Sequence, residues 1–141
     1  VQDAEQYALR AVVITGGEPL MWNLDYLTKL FVSKGFETYL ETSGAWPLSG
    51  KWDWICLSPK KQAPPVPEIY SLADELKVIV AEPDDFAWAE KNAVRVKKGC
   101  HLFLQPEWSV YKSITPAIVN YIKKHPKWRM SLQAHKFMKI P

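Results

Sequence analysis

Short runs of β-branched and aromatic residues alternate along this chain with stretches whose apolar positions recur every three or four residues, and the alternation predicts parallel β/α units. Strands are predicted at Arg10–Thr15, Phe36–Glu41, Trp52–Leu57, Glu75–Val80, His101–Gln105 and Trp128–Gln133. Between the first two, Leu20, Leu24, Leu27, Leu30 and Phe31 form an amphipathic stripe. Pro19 suits the first turn of that helix, and Gly35 sits where a left-handed stop is wanted. Asp84 is placed to cap a second helix running to about Val94, with Phe86, Ala89, Ala93 and Val94 on its apolar side. Pro116 is read as opening a third helix that ends before Pro126. The stretch 60–67 carries three prolines and predicts a surface loop. Ala4, Ala8 and Leu9 lie near helical spacing, so the first nine residues read as the end of a helix entered from upstream.

Composition narrows the class. The 141 residues are 48% hydrophobic, 13% aromatic and 23% charged, which fits one folded domain over 1–141 and excludes disordered or fibrous chains. A net charge of +3 is too mild to argue for nucleic acid and suits small anionic ligands equally well. No apolar run has the roughly 18 residues of a membrane helix and no basic-then-apolar leader is visible, so the expectation is a cytoplasmic protein without membrane contact. The two cysteines, Cys56 and Cys100, lack close-spaced partners and read as free buried thiols; a disulfide between them would require a compartment outside the cytosol.

Polar residues gather just after the strands: Thr15-Gly16-Gly17-Glu18-Pro19, Glu41-Thr42-Ser43-Gly44, Ser58-Pro59-Lys60, Gln105-Pro106-Glu107-Trp108 and Gln133-Ala134-His135-Lys136. In a parallel sheet all C-terminal strand ends share one rim, so clusters scattered in sequence converge into a candidate ligand site. Gly16-Gly17 serves either as a tight turn or as bare backbone offered to a ligand's polar end. It lacks the lysine of a Walker loop and the third glycine of a dinucleotide fingerprint. Glu41 ends an apolar strand, where it either faces solvent or accepts from ribose hydroxyls or an amine. Ser58 and Lys60 bracket a stiffening proline and could clamp a carboxylate, while Lys61 reads as solvated charge. His135 reads as a structural histidine, His101 and His125 as surface residues, and the dispersed tryptophans as core and loop anchors.

The strand-GGEP-helix segment at Thr15–Pro19 resembles the SAM-binding motif of radical S-adenosylmethionine (SAM) enzymes. With Glu41-Thr42-Ser43-Gly44, Ser58-Pro59-Lys60-Lys61, Gln105-Pro106-Glu107 and a C-terminal Gln-x-His-Lys ending in Ile140-Pro141, the whole chain is similar to the 7-carboxy-7-deazaguanine synthase family. The resemblance implies a partial radical-SAM β/α barrel of mostly parallel strands. The reaction it implies starts with a 5′-deoxyadenosyl radical, generated from SAM at a [4Fe-4S] cluster, which takes hydrogen from 6-carboxy-5,6,7,8-tetrahydropterin. Ring contraction to 7-carboxy-7-deazaguanine follows, with Mg2+ assisting, on the route to queuosine. It further implies a flavodoxin-type electron donor and a homodimer. Carried over by motif, Gly16, Gly17, Glu18, Glu41, Ser58, Pro59, Lys60, Gln105, Pro106, Glu107 and Trp108 would face SAM; Thr15 and the Pro141 carboxylate would face the pterin.

Two departures stand out. The family's CxxxCxxC cluster motif, expected well upstream of the GGEP strand together with a magnesium-binding hydroxyl, is not among these residues, so the chain reads as a C-terminal portion that is inactive alone. Ala134 stands where the family has threonine, at a cost of about 1 kcal/mol for a lost hydrogen bond. The rival expectations are another radical SAM enzyme, such as an activase of a glycyl-radical enzyme, and a cluster-free binding module.

Overall fold

A computed structural model describes residues 1–139. Its frame is one six-stranded, wholly parallel sheet: β1 (Ala11–Ile14), β2 (Glu37–Thr42), β3 (Trp54–Leu57), β4 (Glu75–Val80), β5 (His101–Pro106) and β6 (Trp128–Met130). Each strand pairs only with its neighbours in sequence, so spatial order equals chain order. Among the described residues five α-helices flank the strands: α1 (Gln2–Glu5), α2 (Asp25–Ser33), α3 (Asp85–Ala93), α4 (Tyr111–Lys124) and α5 (Ala134–Met138). No helix among the described residues is long and apolar enough to cross a membrane.

Alternation along the strands assigns the two faces of the sheet. Leu40, Leu57, Leu76, Val78, Val80 and Leu104 point to one side, almost fully buried, and pack in a single core with Ala89 of α3, with Ile114 and Ile118 of α4 and with Leu24 just ahead of α2. Burying each large aliphatic side chain contributes about 1.5–3 kcal/mol, so this layer dominates stability. The intervening residues Glu41, Cys56, Glu75, Lys77 and Gln105 point to the other face, which makes that face polar. Register sets Glu41 beside Cys56 and Cys56 beside Glu75 in one row. A parallel sheet wound in one direction, with helices on one side and a polar opposite side, is the expected partial β/α barrel.

Charged groups stitch the helical layer. Glu90 of α3 accepts hydrogen bonds from the Tyr121 hydroxyl (2.8 Å), the Trp128 indole (2.9 Å) and Lys127 (2.5 Å), which ties α3 to α4 and β6. Trp128 can be buried to 1% exposure because its one polar atom finds this partner.

The elements differ from expectation at several places, the first being that the opening helix, read over the first nine residues, ends at Glu5. After Pro19 the chain makes only a short 3-10 turn (Pro19–Met21); α2 starts at Asp25, where the Asn23 side chain accepts from the Asp25 amide at 2.9 Å. Asp84 precedes α3 but its side chain caps nothing; Asp85, the first residue of the helix, turns Oδ2 back to accept from the amides of Ala81 (2.7 Å) and Glu82 (3.1 Å) in the loop before it. Helix α4 begins at Tyr111, so Pro116 lies inside it, in the second turn, where it removes the hydrogen bond to the Lys112 carbonyl and its ring crowds that carbonyl. Strand β6 stops at Met130 because the chain turns into α5, which the pattern of apolar residues did not announce.

Candidate functional site

The C-terminal ends of the strands meet at a rim cavity of about 150 Å3 bordered by Thr15, Gly17, Glu18, Glu41, Thr42, Ser43, Ser58 and Lys60. Gly16 and Gly17 follow β1 with φ of 86° and 52°, and a Cβ on either would meet nothing within 4 Å. Their backbone is therefore open toward a ligand, in a conformation that glycine adopts without strain.

Glu18 is the hinge of this corner. Its Oε1 accepts from the Leu20 amide (3.1 Å) and the Thr42 hydroxyl (2.5 Å); its Oε2 accepts from the Ser43 amide (2.8 Å) and the Ser43 hydroxyl. Burial favours the neutral acid, but the donors from Ser43, Thr42 and Leu20 outweigh it and hold the carboxyl below its ordinary value. Four donors fill the acceptor capacity of a carboxylate, so Glu18 binds the β1 rim to the β2 rim.

Across the cavity Lys60 donates to the Ser58 hydroxyl at 3.1 Å. Lys60 remains accessible, yet desolvation by the rim atoms around it, with the nearby Lys77 charge, pulls its ammonium below the ordinary lysine value. A ligand carboxylate placed beside it would relieve both effects.

Glu41 forms a wall shared with a second cavity, of about 300 Å3, lined also by Glu75, Lys77, Gln105, Ser131, Gln133 and His135. Lys77 donates to Glu41 Oε2 at 2.9 Å, and Ser131 donates to Gln105 Oε1 at 3.1 Å. Burial pulls Lys77 down; the charges around it prevail and raise it. Glu41 and Glu75 are the groups responsible, since burial pushes the Cys56 thiol up and leaves it neutral near pH 7. Gln133, which borders the second cavity, has its Oε1 buried and, among the described residues, accepting no hydrogen bond.

Of the residues singled out from the sequence, Thr15, Gly17, Glu18, Glu41, Ser58 and Lys60 line the first cavity, with Gly16 and Pro59 beside them in the chain, and Gln105 lines the second. Pro106, Glu107 and Trp108 line neither. The Glu107 carboxylate is turned to the amide (2.9 Å) and hydroxyl of Ser109, and Trp108 stacks on Tyr111 at 4.9 Å and meets Phe137 edge-on at 5.1 Å. Pro141 lies outside the described residues. Sequence reasoning missed Glu75, Lys77 and Ser131. The signal for the first two was the acid and the base on alternate positions of an otherwise apolar β4.

The donor set of the rim fits SAM: an accessible ammonium and hydroxyl for its carboxylate, open glycine backbone for its amine, and Glu41 for its ribose. The residues do not fit a [4Fe-4S] cluster. The sequence holds two cysteines, Cys56 and Cys100, both free, with the Cys100 thiol also pushed by burial up to about 11. Among the described residues no group of three His, Cys, Asp or Glu could hold a metal ion.

No family model matches the chain. It is 50% identical over its full length to the 7-carboxy-7-deazaguanine synthase of Flavobacterium psychrophilum, and 47% identical over 99% of its length to that of Synechocystis sp.; it spans 67% of each relative. The crystal structure of QueE from Escherichia coli superposes with a TM-score of 0.78 at 28% identity, over 93% of this chain and 59% of that one. Relatives this similar, over this much of their length, show that the chain belongs to the 7-carboxy-7-deazaguanine synthase family.

Proposed function

We propose that this chain supplies the SAM-binding and substrate-facing rim of an enzyme that converts 6-carboxy-5,6,7,8-tetrahydropterin to 7-carboxy-7-deazaguanine. The observation that carries the reading is the first cavity, where open Gly16-Gly17 backbone, a Glu18 clamp and the Ser58–Lys60 pair meet around one small polar space. Lys60 and Ser58 hold the SAM carboxylate, and the backbone around Gly17 receives the amine. Glu18 keeps that backbone in place. Glu41, fixed by Lys77, accepts from the ribose hydroxyls. When bound and reduced, SAM supplies the hydrogen abstraction that starts the ring contraction.

The second cavity then takes the pterin. An aminopyrimidinone edge offers two kinds of N–H donor, and this cavity offers acceptors in the carboxylates of Glu41 and Glu75. Thr15 faces the pterin from the first cavity; the family resemblance adds the Pro141 carboxylate as a further substrate contact. The same resemblance supports a cytoplasmic homodimer served by a flavodoxin-type electron donor, with Mg2+ and the cluster held by residues other than these.

The test joins this chain to the part of the Flavobacterium relative that it does not span, reconstitutes iron and sulfide without oxygen, and supplies reductant, SAM and the pterin. The expected product is 7-carboxy-7-deazaguanine. SAM cleavage without consumption of the pterin would move the chain to a different radical reaction, and absence of SAM cleavage would overturn the proposal.

A further inference from the structure

Lys61 read from sequence as a solvated charge. In the structure its ammonium lies 2.5 Å from Asp85 Oδ1 and 3.7 Å from Glu82 Oε1. Asp85 is 7% exposed, and its other oxygen is occupied by the Ala81 and Glu82 amides. Burial opposes the charge on Asp85, but Lys61 and the two amides outweigh it and hold the carboxyl below its ordinary value.

The loop that carries Lys61 has little else to hold it. Its backbone is tied at one end by the Ser58 amide to Thr42 O (2.7 Å) and at the other by the Val66 amide to Gly44 O (2.8 Å). Among the described residues, no hydrogen bond to the backbone of 59–65 is found. Pro59 and Pro65 are buried; the residues from Lys60 to Pro64 are exposed. The ion pair to Asp85 is therefore the polar tie across this span, and it reaches to the junction of β4 and α3. Next to that junction Val80 O accepts from the Glu107 amide at 2.8 Å, so the far end of the tie stands on a fixed part of the rim.

We propose that Lys61 and Asp85 are positioning residues, a strut that holds the Ser58-Pro59-Lys60 loop so that the Lys60 ammonium meets the carboxylate of the bound ligand. The inference rests on the reading of the first cavity as the SAM site. Lys61 itself does not line that cavity, so it acts through its neighbour in the chain.

The experiment uses the 141-residue chain with Lys61→Ala, Lys61→Arg and Asp85→Asn, and with S-adenosylhomocysteine as the probe in calorimetry. In Lys61→Ala the affinity is expected to fall about two- to fivefold, as for a half-exposed ion pair, and Lys61→Arg should restore it. Amide order parameters at Lys60–Ala63 should drop in Lys61→Ala from about 0.85 toward 0.6, a loosening that a general loss of stability would not confine to this loop. If the unaltered chain binds the probe and Lys61→Ala binds it equally well, or the loop order is unchanged, the strut is wrong while the cavity assignment survives. If the unaltered chain does not bind the probe, the SAM reading fails, and the ligand role of the strut fails with it.

Discussion

Replacing Glu18 by glutamine tests the corner on which the rim depends. The carboxylate accepts from four donors, two of them the backbone amides of Leu20 and Ser43 and two the hydroxyls of Thr42 and Ser43. An amide side chain keeps one oxygen, so its NH2 group must face one of the two backbone N–H donors whichever way it is turned. Leaving a buried N–H unpaired costs about 1–3 kcal/mol, and the remaining bonds lose their charge assistance. Solvent access at this half-buried site reduces the sum, and Glu18→Gln is expected to lose about 1–3 kcal/mol. The assay is equilibrium urea denaturation of both proteins from pH 7 to pH 3. The folded-state pKa of Glu18 lies below its ordinary value of 4.5, so its contribution is fully present above that value and disappears as pH falls through the folded pKa. The gap between the two proteins should therefore be widest at pH 7 and close toward pH 3. A gap that is absent at pH 7, or independent of pH, would refute the reasoning.

Three further outcomes can be measured on the same chain. Gly44→Ala should cost about 2–4 kcal/mol in urea denaturation, because the φ of 73° strains any side chain and the new Cβ would lie 2.5 Å from Leu57 Cδ1; Gly35→Ala, at φ 76° with open space, should cost only about 1 kcal/mol. Leu104→Ala removes a side chain with 0% exposure and should lower stability by about 2–5 kcal/mol by the same method. Lys60→Ala should weaken S-adenosylhomocysteine binding about tenfold in calorimetry while leaving the thermal midpoint unchanged, since the residue is exposed and contributes one ion-dipole contact to the fold.

How much of this was legible depends on the range of the interaction. Strand β4 was read with its final boundaries because Leu76, Val78 and Val80 alternate with Glu75 and Lys77, and that alternation is the physical cause of the burial pattern. The convergence of the rim motifs followed from parallel topology alone. The 3-10 turn after Pro19 was not legible, because a leucine stripe at helical spacing looks the same whether or not Asn23 restarts the helix at Asp25. Asp84 and Asp85 are chemically equivalent in sequence, and the direction of the chain leaving β4 decides which one reaches the amides of Ala81 and Glu82. The partner of each charged rim residue was hidden for a related reason: Glu18 with Ser43 and Lys61 with Asp85 are set by how the rim loops dock, and Lys77 with Glu41 by the register of β2, β3 and β4, not by any local preference.

Because strand order equals chain order, the sheet grows at one edge only. Each new strand finds its partner in the strand last laid down, and the chain segment that must be closed to reach it is a single connection, carrying α2, α3 or α4 in three cases and a loop in the other two. Loop-closure entropy rises only slowly with segment length, so the cost of adding a strand stays nearly constant along the chain. A polypeptide of this topology can condense progressively as it leaves the ribosome, from β1 toward β6, without waiting for a distant segment.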